Sequence, residues 1–248
     1  MYICKTTADS RVGCVRENNE DMLLVGDTFI RDDRMTRGLQ LKESDRYLWA
    51  LADGMGGHNC GEVASSDVLH NLQYFFSDIP DGMSIENFNE SIFEWLTSMN
   101  NIIDSKGREN PELRNMGTTL VAFAYYGNDF FWMNCGDSRL YRLRDGHLKQ
   151  LTTDHSLSNM MGLKTHSNVI TNCIGGGCSS SYIDIVRCTD KIDRGDTVFL
   201  CSDGMTDMVD DAAIEQMLND GKGASELCAA AEQAGGVDNI SVIVIQIA

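Results

Sequence analysis

The sequence is short of proline, of long apolar runs and of positive charge, and each shortage removes a class of protein. Only Pro80 and Pro111 occur among 248 residues. No Pro/Gly/Ser-rich stretch divides the chain, so one domain over residues 1–248 is expected. The longest apolar stretches, such as Val242–Ile245 and Leu120–Tyr126, fall far below the roughly 20 residues a spanning helix needs. Met1–Lys5 carries no apolar signal core. Lys and Arg number 20 against 37 Asp and Glu, giving a formal net charge of −17. That balance argues against binding a phosphate backbone, which takes clustered cations. The expectation is a monomer of the cytoplasm, with neither nucleic acid nor membrane as partner.

Nine cysteines form no framework: the number is odd and the spacing irregular, as for reduced thiols. Cys135 and Arg139 stand too close together for a cysteine-nucleophile loop. No Walker A sequence occurs despite 23 glycines. Cys173 and Cys178 lack the second pair that a zinc site needs.

What is present is a series of short β-rich runs. Tyr2–Ala8, Met22–Phe29, Tyr47–Ala52, Thr118–Tyr125, Phe130–Cys135, Leu140–Arg144, Ile183–Arg187, Val198–Cys201 and Ile240–Ile247 read as strands. Asp145-Gly146 marks a hairpin. Apolar residues at helical spacing predict helices over Gly61–Phe76 and Ile85–Ile103, the second with Ile85, Phe88, Ile92, Trp95, Met99 and Ile102 on its inner face. Shorter helices are expected over Ala212–Leu218 and Ala224–Ala234. The polar stretch Arg31–Asp45 reads as an exposed loop or hairpin tip. Strands, helix pair, strands, helix pair and final strand suggest layered α+β packing, with helix pairs outside two antiparallel sheets.

Five carboxylate sites share one signature, an acid at a strand edge beside Gly or Asn: Glu20-Asp21, Asp53-Gly54, Gly136-Asp137, Asp203-Gly204 and Asp238-Asn239. Strand ends on one edge of a sandwich can converge, and converging carboxylates suit hard divalent cations. Asp-Gly also marks ordinary turns, and spacing alone does not choose between the two. Arg16, five residues before Asp21, offers a permanent bidentate fork for phosphate oxygens.

In order along the chain, Arg16-Glu17-Asn18-Asn19-Glu20-Asp21, Ala52-Asp53-Gly54-Met55-Gly56-Gly57-His58, Gly117-Thr118-Thr119, Asn134-Cys135-Gly136-Asp137-Ser138-Arg139, Thr153-Asp154-His155-Ser156, Leu200-Cys201-Ser202-Asp203-Gly204 and Gly236-Val237-Asp238-Asn239-Ile240-Ser241 resemble the motifs of the type 2C (PPM) protein phosphatases, in the form of the bacterial branch. The resemblance runs from residue 10 to residue 247. It implies a four-layer αββα sandwich with metals in a cleft at one end. It also implies hydrolysis of phosphoserine and phosphothreonine on proteins, opposite a Ser/Thr kinase, by a hydroxide bridging two Mn²⁺ or Mg²⁺ ions, with a third ion in some members. Matched position by position, Asp53 would bridge the metals and the Gly54 carbonyl would bind one. Glu20 and Asp21 would serve that same ion, one directly and one through water. Asp203 and Asp238 would hold the other ion, and Asp137 with Asp203 the third. Asn239 would support them. Arg16 would bind phosphate, and Arg16, Asp53 and Asp203 would carry the catalysis. Residues 155–174 match the flap that borders the cleft.

Met55 departs from the eukaryotic pattern, which has a histidine there as proposed general acid. The acid is thus unassigned, with a water on the third metal and His58 as candidates. The six acids, two or three divalent ions and Arg16 would leave the loaded site near neutral, able to accept phosphate despite the overall charge. Two other readings stand beside this one: a non-catalytic module of the same fold that binds phosphoproteins, and a calcium-binding structural sandwich.

Overall fold

The computed structural model describes residues 1–56, 60–162, 169–178 and 180–248. In chain order the elements begin with strands β1 (Tyr2–Arg11), β2 (Met22–Val25), β3 (Thr28–Ile30), β4 (Arg34–Leu41), β5 (Tyr47–Ala52) and β6 (Gly54–Met55). Helices α1 (Gly61–Asp78) and α2 (Ile85–Glu109) follow, then β7 (Gly117–Thr118), β8 (Leu120–Tyr126), β9 (Asp129–Cys135), β10 (Arg139–Arg144) and β11 (His147–Gln150). A short helix α3 (Leu157–Met160) precedes β12 (Ile174–Gly175), β13 (Asp184–Arg187) and β14 (Thr197–Cys201). The chain closes with α4 (Asp203–Thr206), α5 (Asp211–Asn219), α6 (Ala224–Gln233) and β15 (Ile240–Ile247).

Two six-stranded antiparallel sheets carry the fold, in the orders β11-β10-β14-β15-β1-β4 and β13-β9-β8-β5-β2-β3. Period-two alternation assigns each strand's faces. Along β8, Val121, Phe123 and Tyr125 enter the core between the sheets. Leu120, Ala122, Ala124 and Tyr126 face the layer that α1 and α2 cover. Along β15, Ile243, Ile245 and Ile247 point between the sheets, and Ile240, Val242 and Val244 meet α4, α5 and α6. Three apolar layers therefore separate helices, sheet, sheet and helices, the αββα order expected. Trp49, fully buried, crosses the middle layer to donate from Nε1 to Thr6 Oγ1 at 2.9 Å.

The structure corrects three local expectations. Met22–Phe29 is not one strand: Gly26, at φ +67°, turns the chain, and β2 pairs back on β3. Arg34–Leu41, inside the stretch read as an exposed loop or hairpin tip, is an edge strand whose register with β1 runs from Tyr2↔Leu41 to Asp9↔Arg34. Its solvent-facing polar residues hid it, because an edge strand buries little. On α2 the inner stripe is Phe88, Ile92, Trp95, Met99 and Ile103, whereas Ile85 and Ile102 are exposed. This helix starts at the Ser84 cap, whose Oγ accepts Asn87 N at 3.2 Å, a contact worth about 1 kcal/mol. It ends before Pro111, which cannot continue it.

Candidate active site

The sequence sends each acid to the same end of the sandwich from a different strand. Asp21 lies just before β2, Asp53 just after β5 and Asp137 just after β9, all on one sheet; Asp203 follows β14 and Asp238 precedes β15, on the other. Asp53 is fixed by the Thr118-Thr119 pair. Its carbonyl accepts Thr119 N at 2.9 Å and Thr118 Oγ1 at 2.8 Å. Its own N–H donates to Thr119 Oγ1 at 3.1 Å. That hydroxyl also meets Ser138 Oγ at 2.7 Å, tying the Asp53 edge to the Asp137 turn. On the other sheet, a Cβ on Gly204 would stand 2.0 Å from Asn239 O, so only glycine lets the Asp203 and Asp238 segments lie this close. Asn239 joins three segments: its Oδ1 accepts Glu20 N at 2.9 Å, and its Nδ2 donates to Val12 O and Asn18 O, both at 2.9 Å.

The electrostatics follow from burial of like charges. Desolvation first, then Asp21, Asp203, Asp137 and Asp238, hold the Asp53 carboxyl well above the usual carboxylate range. Burial pushes Asp21 up to about 7, with Asp203 and Asp238 adding repulsion against partial relief from the Ser241 and Ser202 hydroxyls. Asp137 is pushed up to about 7 by burial and Asp203. Asp203 rises to about 6 by burial and repulsion from Asp238, less what a hydrogen bond with Asp53 returns. Burial also raises Glu20. At the rim, the exposed Arg16 donates from Nη2 to Asp238 Oδ2 at 2.7 Å.

Both Asp21 carboxylate oxygens and Asp137 Oδ1 are buried without a hydrogen-bond partner; the serines that face Asp21 stop short of bonding distance. Buried polar atoms seldom go unpaired. Orphaned oxygens in an all-oxygen set fit Mg²⁺ or Mn²⁺, which prefer carboxylate, carbonyl and water ligands. Among the described residues, however, no three His, Cys, Asp or Glu side chains are already gathered into a ligand cage. The hydrogen bonds explain why. Asp238 Oδ2 accepts from Arg16 Nη2 and its Oδ1 accepts from Asn239 N at 2.8 Å, while Glu20 Oε1 accepts Gly61 N at 3.3 Å. Thus Glu20, Asp21, Asp53, Gly54, Asp137, Asp203 and Asp238 share one end of the fold, and two of the acids are turned to protein donors.

Several supporting groups escaped the sequence reading. Ser10 and Ser241 hydroxyls pair at 2.8 Å, Asn19 Nδ2 donates to Ser10 Oγ at 3.0 Å, and Ser202 Oγ accepts Ser241 N at 3.0 Å, forming a polar file behind Asp21. Asp154 accepts Arg139 Nη2 at 2.7 Å and Nε at 2.9 Å, bracing the Asp137 turn. His155 Nδ1 accepts Gly136 N at 3.1 Å, which leaves Nε2 to face Asp184 Oδ2 at 3.1 Å. The Thr153–Ser156 motif signalled this brace, though no spacing rule names its partners. The flap base is a short ladder, with Leu157 N on Val169 O and Thr171 N on His155 O, each at 2.8 Å. His58, one candidate acid, lies outside the described residues, as do residues 163–168 of the flap.

A helix-flanked antiparallel sandwich with an acidic, oxygen-lined end and one arginine at its rim is the architecture of the metal-dependent protein phosphatases. The chain belongs to the protein phosphatase 2C family, whose model matches residues 27–233. It is 31% identical over 255 residues to the serine/threonine protein phosphatase PstP of Mycobacterium tuberculosis, covering 99% of this chain and 45% of that one. The chain thus spans less than half the length of PstP. The serine/threonine phosphatase stp of Listeria innocua is 28% identical over 250 residues, covering 94% of this chain and 92% of that one. Among solved structures, the S. agalactiae serine/threonine phosphatase superposes with a TM-score of 0.83 at 27% identity, covering 98% of this chain and 99% of that one. The catalytic domain of PstP in complex with two manganese ions does so with a TM-score of 0.76 at 31% identity, covering 100% and 99%.

Proposed function

We propose that residues 1–248 form one catalytic domain that hydrolyses phosphoserine and phosphothreonine on proteins, dependent on Mn²⁺ or Mg²⁺. The observation that carries this reading is Asp53, half-buried and facing four further carboxylates, an arrangement that is costly until cations neutralise it. The two manganese ions of the PstP complex support the same reading.

In this reading Asp53 would hold two ions, with Glu20, Asp21 and the Gly54 carbonyl serving one, Asp203 and Asp238 the other, and Asp137 with Asp203 a third where one binds. When bound, the ions supply a water-derived nucleophile at neutral pH and offset charge on phosphorus. Asp21, Asp53, Asp137 and Asp203 release their protons as cations enter. With Asp238 serving a cation, Arg16 would be free to grip two phosphoryl oxygens and hold the ester in line. Asn239 keeps the Glu20 and Asp238 segments in step, and Thr118 and Thr119 hold Asp53 still. The flap that the resemblance assigns to residues 155–174 would choose among phosphoproteins supplied by a Ser/Thr kinase. Nine free thiols fit a monomer working in a reducing compartment, the cytoplasm.

The test is turnover of a phosphothreonine peptide with Mn²⁺ and with EDTA. Hydrolysis in Mn²⁺ alone is expected. Equal rates in both would defeat the metal requirement, and tight peptide binding without turnover would favour the non-catalytic module.

A further inference from the structure

Cys173 and Cys178 bracket the turn Ile174-Gly175-Gly176-Gly177, beside the cleft but outside its chemistry. The turn folds back on itself. Cys178 N donates to Gly175 O at 3.0 Å, and the Cys173 thiol donates to that same oxygen at 3.4 Å. One acceptor therefore gathers the backbone of one cysteine and the sulfur of the other. The Cys178 thiol reaches back to Thr171 O at 4.0 Å, on the segment leading into Cys173. Cys173 is buried and Cys178 half-buried, both as free thiols. Gly175, Gly176 and Gly177 all have positive φ, from +62° to +78°, a tight backbone path that glycine holds without strain.

We infer that Cys173 and Cys178 form an oxidisable dithiol, a modification site that takes a peroxide and closes reversibly to an intramolecular disulfide. The more accessible Cys178 attacks as its thiolate. Its S–O bond forms as the peroxide O–O bond breaks, leaving a sulfenic acid and, after proton uptake, one water. Cys173 sulfur then attacks the Cys178 sulfur. The S–S bond forms, the S–O bond breaks, and the hydroxide takes the Cys173 proton as a second water. Two thiols are oxidised by two electrons and one peroxide is reduced. Burial pushes the Cys173 thiol up to about 12, so it keeps its proton until the departing hydroxide takes it in the second step.

Closure at this turn is transmitted to the acids. Ile174 and Gly175 pair with Thr118 and Gly117, Gly176 N donates to Met116 O at 2.7 Å, and Thr118 Oγ1 holds the Asp53 carbonyl. Gly175 has no slack, since even a Cβ there would stand 2.2 Å from Ile103. A disulfide that reshapes the turn therefore moves β7 and the Asp53 edge. This effect on turnover rests on the phosphatase reading; the disulfide itself does not.

The experiment treats the reduced full chain with hydrogen peroxide, blocks remaining thiols, and maps peptides by mass, while turnover of a phosphothreonine peptide in Mn²⁺ is followed in parallel. The expected result is a loss of about 2 Da located between Cys173 and Cys178, with turnover down roughly 10- to 100-fold, the scale of a misplaced catalytic group. Dithiothreitol should restore both, and Cys178→Ser should keep its activity in peroxide. A different pairing, or two reduced thiols at 173 and 178 after exposed Cys14 has been oxidised, overturns the site; this map does not depend on the variant folding. Equal loss in Cys178→Ser overturns the link to the cleft. Absence of turnover in the reduced protein would count against the phosphatase reading alone, because the map still decides the disulfide.

Discussion

Arg16 Nη2 stands 2.7 Å from Asp238 Oδ2, so the guanidinium best placed for phosphate is held by an acid that a divalent cation would draw away. In the proposed function, cation entry and phosphate entry would thereby be coupled through one ion pair. The Arg16 side chain is 53% exposed and that of Asp238 38%, so the pair adds little to stability.

Arg16→Ala is expected to lower kcat/KM for a phosphothreonine peptide by roughly 10- to 100-fold, since hydrogen bonds to charged groups contribute about 1.5–3 kcal/mol. The melting temperature should stay near wild type, and Arg16→Lys should fall between, keeping the charge without the fork. Steady-state kinetics with wild-type kcat/KM in Arg16→Ala would remove this residue from phosphate binding.

Asp203→Asn should abolish nearly all turnover while leaving the EDTA-treated protein at least as heat-stable as wild type. The amide deletes a ligand charge but also relieves repulsion from Asp53 and Asp238. Calorimetry beside an activity assay separates the two effects. A variant that melts well below wild type in EDTA would mean Asp203 serves the fold more than the site.

Acidity and cations should act in opposition. Asp21 and Asp137 rise to about 7 and Asp203 to about 6, from 3.8. The folded chain keeps protons that the unfolded chain gives up, so these groups' stabilising contribution is complete below about pH 4 and disappears as pH rises to about 7. Cations bind the ionised form, so their contribution grows across the same interval. At a hundredfold excess over Kd, Mn²⁺ adds about 2.7 kcal/mol, or roughly 5–10 °C for a chain this size. Melting curves from pH 5 to 7.5 should show the gap between Mn²⁺ and EDTA widening; a constant gap would refute the assignment.

Gly204→Ala places a methyl group against Asn239 O, where an ideal Cβ sits at 2.0 Å. A backbone oxygen cannot yield as a side chain does, so a loss of about 1–3 kcal/mol is expected, with weaker Mn²⁺ binding as Asp203 and Asp238 are forced apart. Urea unfolding in EDTA and Mn²⁺ titration read the two effects. An unchanged midpoint would show that the segments can separate freely.

The fold was largely legible because its long elements repeat a period. Phe88, Ile92, Trp95 and Met99 announce a helix, and the runs at 47–52 and 240–247 announce buried strands. Arg34–Leu41 was hidden because an edge strand buries one face only and keeps a polar sequence. The Gly26 turn was hidden because Val25-Gly26-Asp27-Thr28 interrupts an apolar run without ending it. The strand-edge acids could be named from the sequence, and their gathering at one end is what two stacked sheets provide. What holds them was not legible. The Arg139–Asp154 brace and the Ser10–Ser241 pair join residues 15 and 231 positions apart, and no local pattern encodes such partners.

Because Asp21, Asp53 and Asp137 belong to one sheet and Asp203 and Asp238 to the other, an ion shared among them would rivet the two layers together. Stripping it should let the sandwich gape at that end first, with amide hydrogens of Leu51 and Ile243 exchanging sooner in EDTA while the opposite end stays shut.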